Sequence, residues 1–448
     1  MSSRDDLVRE ISKQLGKRQL YWFGIRGDDA RSLADIPQFA GSFSIINRYS
    51  HQPLPYVQAY EDYDEYRIRD DLDTWDIDRH LTDDVTKDFR HLLMAAVGRE
   101  ESAITAYRPS QFLSAIAFAR QDCCQYLSMH AEHQHVFEYK PWVETAVHSL
   151  NIPMVNWRYI ADEDQLDTLD LLAQGPVVMR PSRGSGGVGM TLIDATQSVK
   201  SLWPSSDEFF VSVSRYLADC LPLNIGAVVW DDGVTLHHPS VQLIGLKCST
   251  NRRFGYCGND LGLIRHLDVA VIDQIEDRTI QIGNWLRTQG YRGAFGLDFL
   301  LDHGTVLFTE LNPRFQGSTR ISSRLDALAD QPCILLDHVA AFLHLSVPTR
   351  PRLRDTINSD PPTSQIVLHN LTPSPMRVRS ADVITNVEQF VDVSNTDIIA
   401  PSNIAIQPNA IVAVYRFDCS ITETGYSVES PISDALDLAA TTMKEITI

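Results

Sequence analysis

One stretch, GYRGAFGLDFLLDHGTVLFTELNPRFQGST at residues 290–319, limits the fold more than any other part of the chain. Two apolar runs, 294–301 and 305–311, flank Asp302, His303 and Gly304, so the spacing predicts a β-hairpin. Side chains alternate along a strand, which puts Glu310, Asn312 and Arg314 on one face and Thr309 and Leu311 on the other. A three-residue turn at 302–304 brings Asp298 to the same face; a two- or four-residue turn sends it away unless a bulge intervenes. Two carboxylates and an amide oxygen are hard ligands suited to Mg2+, with phosphate oxygens completing the shell. Buried without a cation such a cluster is costly, and Arg314 adds a fork that can hold developing negative charge. An edge hairpin with solvated acids is the plainer alternative. Pro313 at the exit and Phe308 and Phe315 alongside argue for burial.

A second stretch, VVMRPSRGSGGVGMTLI at 177–193, has Gly184, Gly186 and Gly189 in the dinucleotide-binding spacing. That motif requires a tight turn from strand to helix, with the helix N-terminus on the pyrophosphate. Here Pro181, Ser182 and Arg183 slacken the turn, and residues 190–193 are apolar and β-branched with no helical period. The phosphate loop of nucleotide hydrolases fails too, since no Gly-Lys-Ser/Thr follows. What remains is a glycine-rich hairpin, Arg183, Gly184, Ser185, Gly186, Gly187 and Gly189, whose unshielded N–H groups can close over phosphate oxygens beside Arg180. A plain surface loop fits the same glycines.

At 448 residues, 44% hydrophobic and 22% charged, the chain has the composition of a soluble protein of several domains. Its net charge of -19 opposes binding to a nucleic-acid backbone and leaves room for a small anionic substrate held by local arginines. Seven scattered cysteines without a C-x-x-C pair argue against a disulfide framework or zinc knuckle. The start MSSRDDLVREIS lacks an apolar leader, no segment suits a membrane span, and the expected location is the cytoplasm.

Residues 1–130 read as an α/β domain, with a strand at 19–23, a charged stretch at 60–80 and a helix opened by Pro109 and Ser110. Residues 131–345 read as α+β with an antiparallel sheet: a helix at 141–150, strands at 176–180 and 190–193, and a further helix. Strands at 209–213 and 227–230 follow, then a long helix at 268–289 and the hairpin. Pro348, Pro351, Pro361 and Pro362 mark a linker at 346–362, and 363–448 reads as a small β-rich domain.

Taken together, the glycine loop and the hairpin resemble the ATP-grasp superfamily of ATP-dependent ligases over about 137–323, with the preceding segment similar to its pre-ATP-grasp domain. The resemblance implies an ATP-grasp fold, with α/β and α+β parts, holding ATP and Mg2+ between two subdomains. Two ions are expected, and Mn2+ could replace them. By resemblance the metal ligands are Asp298, Glu310 and Asn312, and Arg314 steadies the reacting groups. Lys140 and Arg180 take the places of two ATP-contacting lysines, the second an arginine where the family has lysine. Arg215 and Leu217 stand at the adenine hinge, where Ser214 replaces a frequent acid.

The implied reaction activates a carboxylate as an acyl phosphate and couples it to an amine, with ADP and phosphate released. Length and the lack of a biotin-carrier signature favour an amino-acid or peptide ligase of small-molecule biosynthesis. The alternatives are a carboxylase-type or purine-pathway ligase and a nucleotide-binding regulator without chemistry; a homodimer is left open. Gln316, Gly317, Ser318 and Arg320 are candidate contacts for the carboxylate and Arg324 a second candidate counter-ion, although an N-capped helix start with solvated arginines fits these residues at least as well; residues 252–260 are a candidate acceptor loop. His130, His133 and His135 are expected in a solvated loop rather than a zinc site, and His237 and His238 in a structural role. GIRGDDA at 24–30 follows a strand's carboxyl end, a usual place for ligands, although a tight turn explains it equally well.

Overall fold

The computed structural model describes residues 3–46, 54–63, 67, 68, 77, 78, 84–99, 101–162, 171–194, 203, 210–359, 361–377, 395–398 and 405–445. The stretches 64–66, 69–76 and 79–80 of the charged segment, and the helix expected between 194 and 209, lie outside them. Among the described residues no helix is long and apolar enough to cross a membrane.

The N-terminal part is a parallel sheet of β1 (Gln19–Arg26), β2 (Phe39–Ile46), β3 (Tyr56–Ala59), β4 (Ser102–Ala106) and β5 (Cys124–Tyr126), in the order β3-β2-β1-β4-β5. Its inner strands are largely buried, as parallel strands with helices against them must be. The order reverses between β1 and β4, so the carboxyl ends of those strands diverge into a crevice. Arg26 ends β1 and Tyr107 follows β4, both at that crevice. Ser110 caps the next helix, Gln111–Ala119, its hydroxyl accepting from the Leu113 amide at 3.0 Å.

A smaller antiparallel sheet carries the glycine loop: β6 (Arg158–Ile160), β7 (Val177–Pro181), β8 (Thr191–Ile193) and β9 (Val211–Arg215), in the order β6-β9-β7-β8. The loop spans β7 to β8. The helix Lys140–Ser149 packs nearby, and its first amide donates to the Ser182 carbonyl at 3.0 Å, tying helix start to loop start.

The largest sheet is antiparallel and contains nine described strands: β10 (Leu221–Val229), β11 (Val234–Leu236), β12 (Ser240–Ile244), β13 (Tyr256–Asp260), β14 (Gly293–Asp302), β15 (Thr305–Asn312), β16 (Ser364–His369), β17 (Asn395–Ile398) and β18 (Ile411–Phe417). They run β15-β14-β10-β12-β13-β16-β18-β17, with β11 on β10. The long helix Val269–Thr288 covers one face, burying Ile272, Ile275, Ile282 and Leu286 against Ile225, Phe295 and Phe308. Each such side chain contributes about 1.5–3 kcal/mol of burial.

Two features differ from the sequence reading. The hairpin turn has two residues, not three: Asp302 pairs with Thr305, and His303 (φ 46°) and Gly304 (φ 81°) turn the chain. A bulge compensates: Asp298 pairs with Glu310 and Phe299 with Phe308, leaving Thr309 unpaired. The Thr309 hydroxyl donates to the Asp298 carbonyl at 2.9 Å and holds the bulge. The extra residue returns Asp298 to the Glu310 face.

The segment after 362, read from sequence as a small domain, continues the main sheet, with Asn259 paired to Gln365 across β13 and β16. One apolar cluster runs from Phe43, Phe89 and Ile104 of the N-terminal part to Tyr415, Phe417 and Leu436 of the C-terminal part. The strands after the proline-rich stretch thus bury their apolar face against the body of the molecule.

Candidate active site

Asp298 lies at the centre of the site, half-buried beneath a cluster of amides. Its Oδ1 accepts from Asn224 Nδ2 at 2.7 Å and Gln242 Nε2 at 2.9 Å, and its Oδ2 from Asn312 Nδ2 at 2.9 Å. Burial, with Glu310 next to it, pushes its carboxyl up to about 6, although the amides and Arg314 pull the other way. Two acids paired across the hairpin in a half-buried site gain from a cation between them. Lys140 supplies part of that charge, its Nζ 3.2 Å from Glu310 Oε1 and donating to the Gly184 carbonyl at 2.9 Å. Burial lowers the Lys140 pKa, while Glu310 opposes the shift.

The sequence-predicted metal set therefore comes together. Asn312 Oδ1 accepts from Arg314 at 3.2 Å, and Arg314 also donates to the Phe315 carbonyl at 2.9 Å. Among the described residues no three His, Cys, Asp or Glu side chains are grouped for a metal. Two carboxylates and an amide oxygen instead make a hard donor set that fits Mg2+ once phosphate oxygens join it. Asn224 and Gln242 escaped the sequence reading. Their signal is visible afterwards, as lone amides inside the apolar strands LPLNIGAVV and SVQLI.

Arg180 is buried on β7. It pairs with Glu144, donates to the Thr309 carbonyl at 2.9 Å and lies 3.6 Å over the Trp157 ring. Burial pulls its pKa down to about 10, so it stays a cation at neutral pH. A guanidinium suits this place because a lysine could not stack and fork at once. The cleft beside it is lined by Val155, Val178, Met190, Arg215, Leu217 and Leu300, with Asp298 and Glu310 also on its wall. The amide following Arg215 donates to the Pro176 carbonyl at 2.9 Å, which pins the end of β9 to the start of β7.

Gly187 also lines that cleft, whereas Ser185 and Gly186 face a second chamber. Gly184 receives Lys140, and Gly189 has φ 75° at the loop's return. Arg183 lies 4.9 Å from the Tyr139 ring rather than on either wall. The second chamber adjoins the cleft at Asp298, Gln242 and Tyr256, and also contains Arg314, Gln316, Gly317 and Ser318. From the N-terminal crevice come Arg26, Asp29 and Tyr107, so GIRGDDA reaches a cavity as its position at a strand end suggested. Of the candidate acceptor loop, Tyr256 and Asn259 face this chamber and Phe254 the cleft.

Neither candidate counter-ion arginine lines the chamber, and both lie on the helix that the alternative reading of this segment expected. Arg320 pairs with buried Asp28, next to the chamber residue Asp29, because the helix Thr319–Leu328 carries it against the N-terminal part. Arg324 is half-exposed, 3.6 Å from Asp418. His130 precedes the short helix Ala131–Phe137, which also holds His133 and His135, so that segment is helical rather than a loop. His237 and His238 are buried on Asp326, at 3.0 and 3.1 Å.

Residues 146–318 match the family model of the ATP-grasp domain. No curated protein matches the chain. Among solved structures, a biotin carboxylase from Campylobacter jejuni is similar with a TM-score of 0.62 at 12% identity, over 95% of each chain. The biotin carboxylase domain of Hydrogenobacter thermophilus 2-oxoglutarate carboxylase, solved with MgADP and bicarbonate, gives 0.58 at 13% identity, over 94% of this chain and 84% of that one. N5-carboxyaminoimidazole synthetase from Staphylococcus aureus, complexed with ADP, gives 0.58 at 11%, over 91% and 94%. At these identities the likeness is one of fold, and the fold is that of ATP-grasp proteins.

Proposed function

From the premise of a chain that carries an ATP-grasp domain, we propose an ATP-dependent ligase that activates a carboxylate as an acyl phosphate and joins it to an amine. The observation that carries this reading is the face shared by Asp298, Glu310, Asn312 and Arg314 on one bulged hairpin, with Lys140 joining it to the glycine loop. ATP would occupy the cleft beside Arg180, and Mg2+ would be held by Asp298, Glu310 and Asn312. Bound there, the metal would neutralise phosphate oxygens and orient the terminal phosphoryl group.

A carboxylate does not react with an amine at neutral pH, so the reading needs phosphoryl transfer first. That chemistry is mostly positioning and charge neutralisation. Arg314 would stabilise the negative charge that builds on the transferred group and on the later tetrahedral oxyanion, a role worth about 10²-fold or more in rate. Asn224 and Gln242 fix the Asp298 carboxylate, and Lys140 holds Glu310. The loop from Arg183 to Gly189 would exclude water from the acyl phosphate. Gln316, Gly317 and Ser318 line the chamber in which the carboxylate would lie.

The test is phosphate release from MgATP in the presence of pooled carboxylic acids and hydroxylamine. The expected result is hydroxamate in proportion to phosphate, its mass naming the donor. Nucleotide binding without turnover with any acid would remove the ligase reading. Turnover that depends on bicarbonate and yields no hydroxamate would support a carboxylase-type enzyme instead.

A further inference from the structure

Arg314 sits in the turn that leaves the hairpin, and its guanidinium bonds within that turn, to Asn312 Oδ1 at 3.2 Å and the Phe315 carbonyl at 2.9 Å. Its amide does the same, donating to the Asn312 carbonyl at 2.8 Å around Pro313. These bonds fix the guanidinium relative to residues 312–315. The turn itself is gripped from the N-terminal part of the chain. Gln134, fully buried on the helix Ala131–Phe137, donates through Nε2 to the Pro313 carbonyl at 3.1 Å. The same nitrogen donates to Glu138 Oε1 at 2.9 Å, and Glu138 pairs with Arg108. The carbonyl of Tyr107, next to Arg108, accepts from the Phe315 amide at 3.3 Å. The contacts close a ring from Arg108 through Glu138 and Gln134 to Pro313, and back from Phe315 to Tyr107. Arg314 lies inside it.

The chemistry of the ring leaves Gln134 one task. Both neighbours of its Nε2, a carboxylate and a carbonyl, only accept, so the amide can face them one way round. Its Oε1 has no hydrogen-bond partner among the described residues. A buried unpaired amide oxygen is costly, and reversing the amide would set that oxygen against two acceptors. The side chain therefore acts as a double donor, which no apolar residue of the same volume could be. Arg108 (6% exposed) holds the Glu138 carboxylate (8%) in place by a charge-assisted bond. Lys140, two residues past Glu138, reaches Glu310 and the Gly184 carbonyl. One short segment thus sets both the arginine and an acid of the site.

We propose that Gln134 is a positioning residue for Arg314: held by Glu138 and Arg108, its amide fixes the Pro313 carbonyl and with it the place of the guanidinium. The inference rests on the ligase reading above and adds a residue that acts only through another. A charge stabiliser works where negative charge develops, and a shift on the order of 1 Å removes much of its effect.

The experiment measures kcat and the KM for MgATP in the hydroxylamine assay, with the acid that the parent enzyme turns over best. Gln134→Met keeps the volume and removes the donor. It is expected to lower kcat about tenfold, part of the ~10²-fold assigned to Arg314, with the KM for MgATP within about twofold of the parent's. Gln134→Asn, whose amide falls one methylene short of Pro313, should give the same split and serves if melting curves show that the methionine variant does not fold. The deciding comparison is made in Arg314→Ala, with enzyme in excess to keep slow turnover measurable. There Gln134→Met should cost nothing further, because the group it places is gone. Parental kcat in a folded variant, a loss confined to the KM for MgATP, or losses that multiply in the double variant overturn the positioning role and leave ATP-dependent ligation standing. No turnover by the parent with any acid removes the ligase reading itself, and the inference with it.

Discussion

Gly187 and Gly186 are neighbours in the loop with similar backbone angles, φ 75° and 63°. Their surroundings differ. A Cβ on Gly187 would lie 1.9 Å from the Phe254 carbonyl oxygen and 2.6 Å from its carbon, whereas a Cβ on Gly186 would meet nothing within 4 Å. Alanine at either site carries the left-handed backbone penalty of about 1 kcal/mol. At Gly187 the contact is with backbone that no rotamer can relieve, so overpacking adds about 2 kcal/mol. If the loop must sit on Phe254 for reaction, Gly186→Ala should lower kcat/KM for ATP about fivefold and Gly187→Ala about 150-fold. The assay is phosphate release at subsaturating MgATP with a trapped acid, with melting temperature as a control for the fold. Equal losses in the two variants would show that the seat on Phe254 plays no part in turnover.

Other expectations concern charge. Glu310→Ala should abolish ADP formation while the melting temperature stays near that of the parent; near-parental turnover would refute its role as metal ligand. Arg180→Lys keeps the charge but loses the stack on Trp157 and the contact at Thr309, and should destabilise by about 1–3 kcal/mol in a denaturant titration; a midpoint equal to the parent's would count against the packing role. Burial alone would lower His237, yet Asp326 and Asp337 outweigh it and raise its pKa above 6.5. Its stabilisation is thus complete below about 6.5 and fades as pH rises through the raised value. The melting temperature should fall as pH rises above about 6.5, with a shallower slope in His237→Gln; an unchanged slope would show that another group titrates.

The hairpin and the glycine loop were legible because each is local. Alternation along 305–312 groups Glu310 with Asn312, and the missing helix after Gly189 excludes a dinucleotide site without reference to any other segment. The turn was harder to read. Two- and three-residue turns differ by one residue of register, and the bulge at Thr309 that decides the face of Asp298 depends on bonds to Asp298 and Arg180. Arg320 reads as a free cation in sequence; only the packing of its helix on the N-terminal part gives it to Asp28.

By itself, then, the order of residues determined which groups could do the chemistry: two acids, an amide and an arginine on one ribbon, and glycines that can approach a phosphate. Tertiary structure decided what surrounds them. Asn224, Gln242 and Gln365 reach the site from strands far apart in the chain. The physical reason is that a strand's own period fixes only which side chains share its face, whereas the cavity a face looks into is fixed by sheet order and by the packing of distant apolar surfaces.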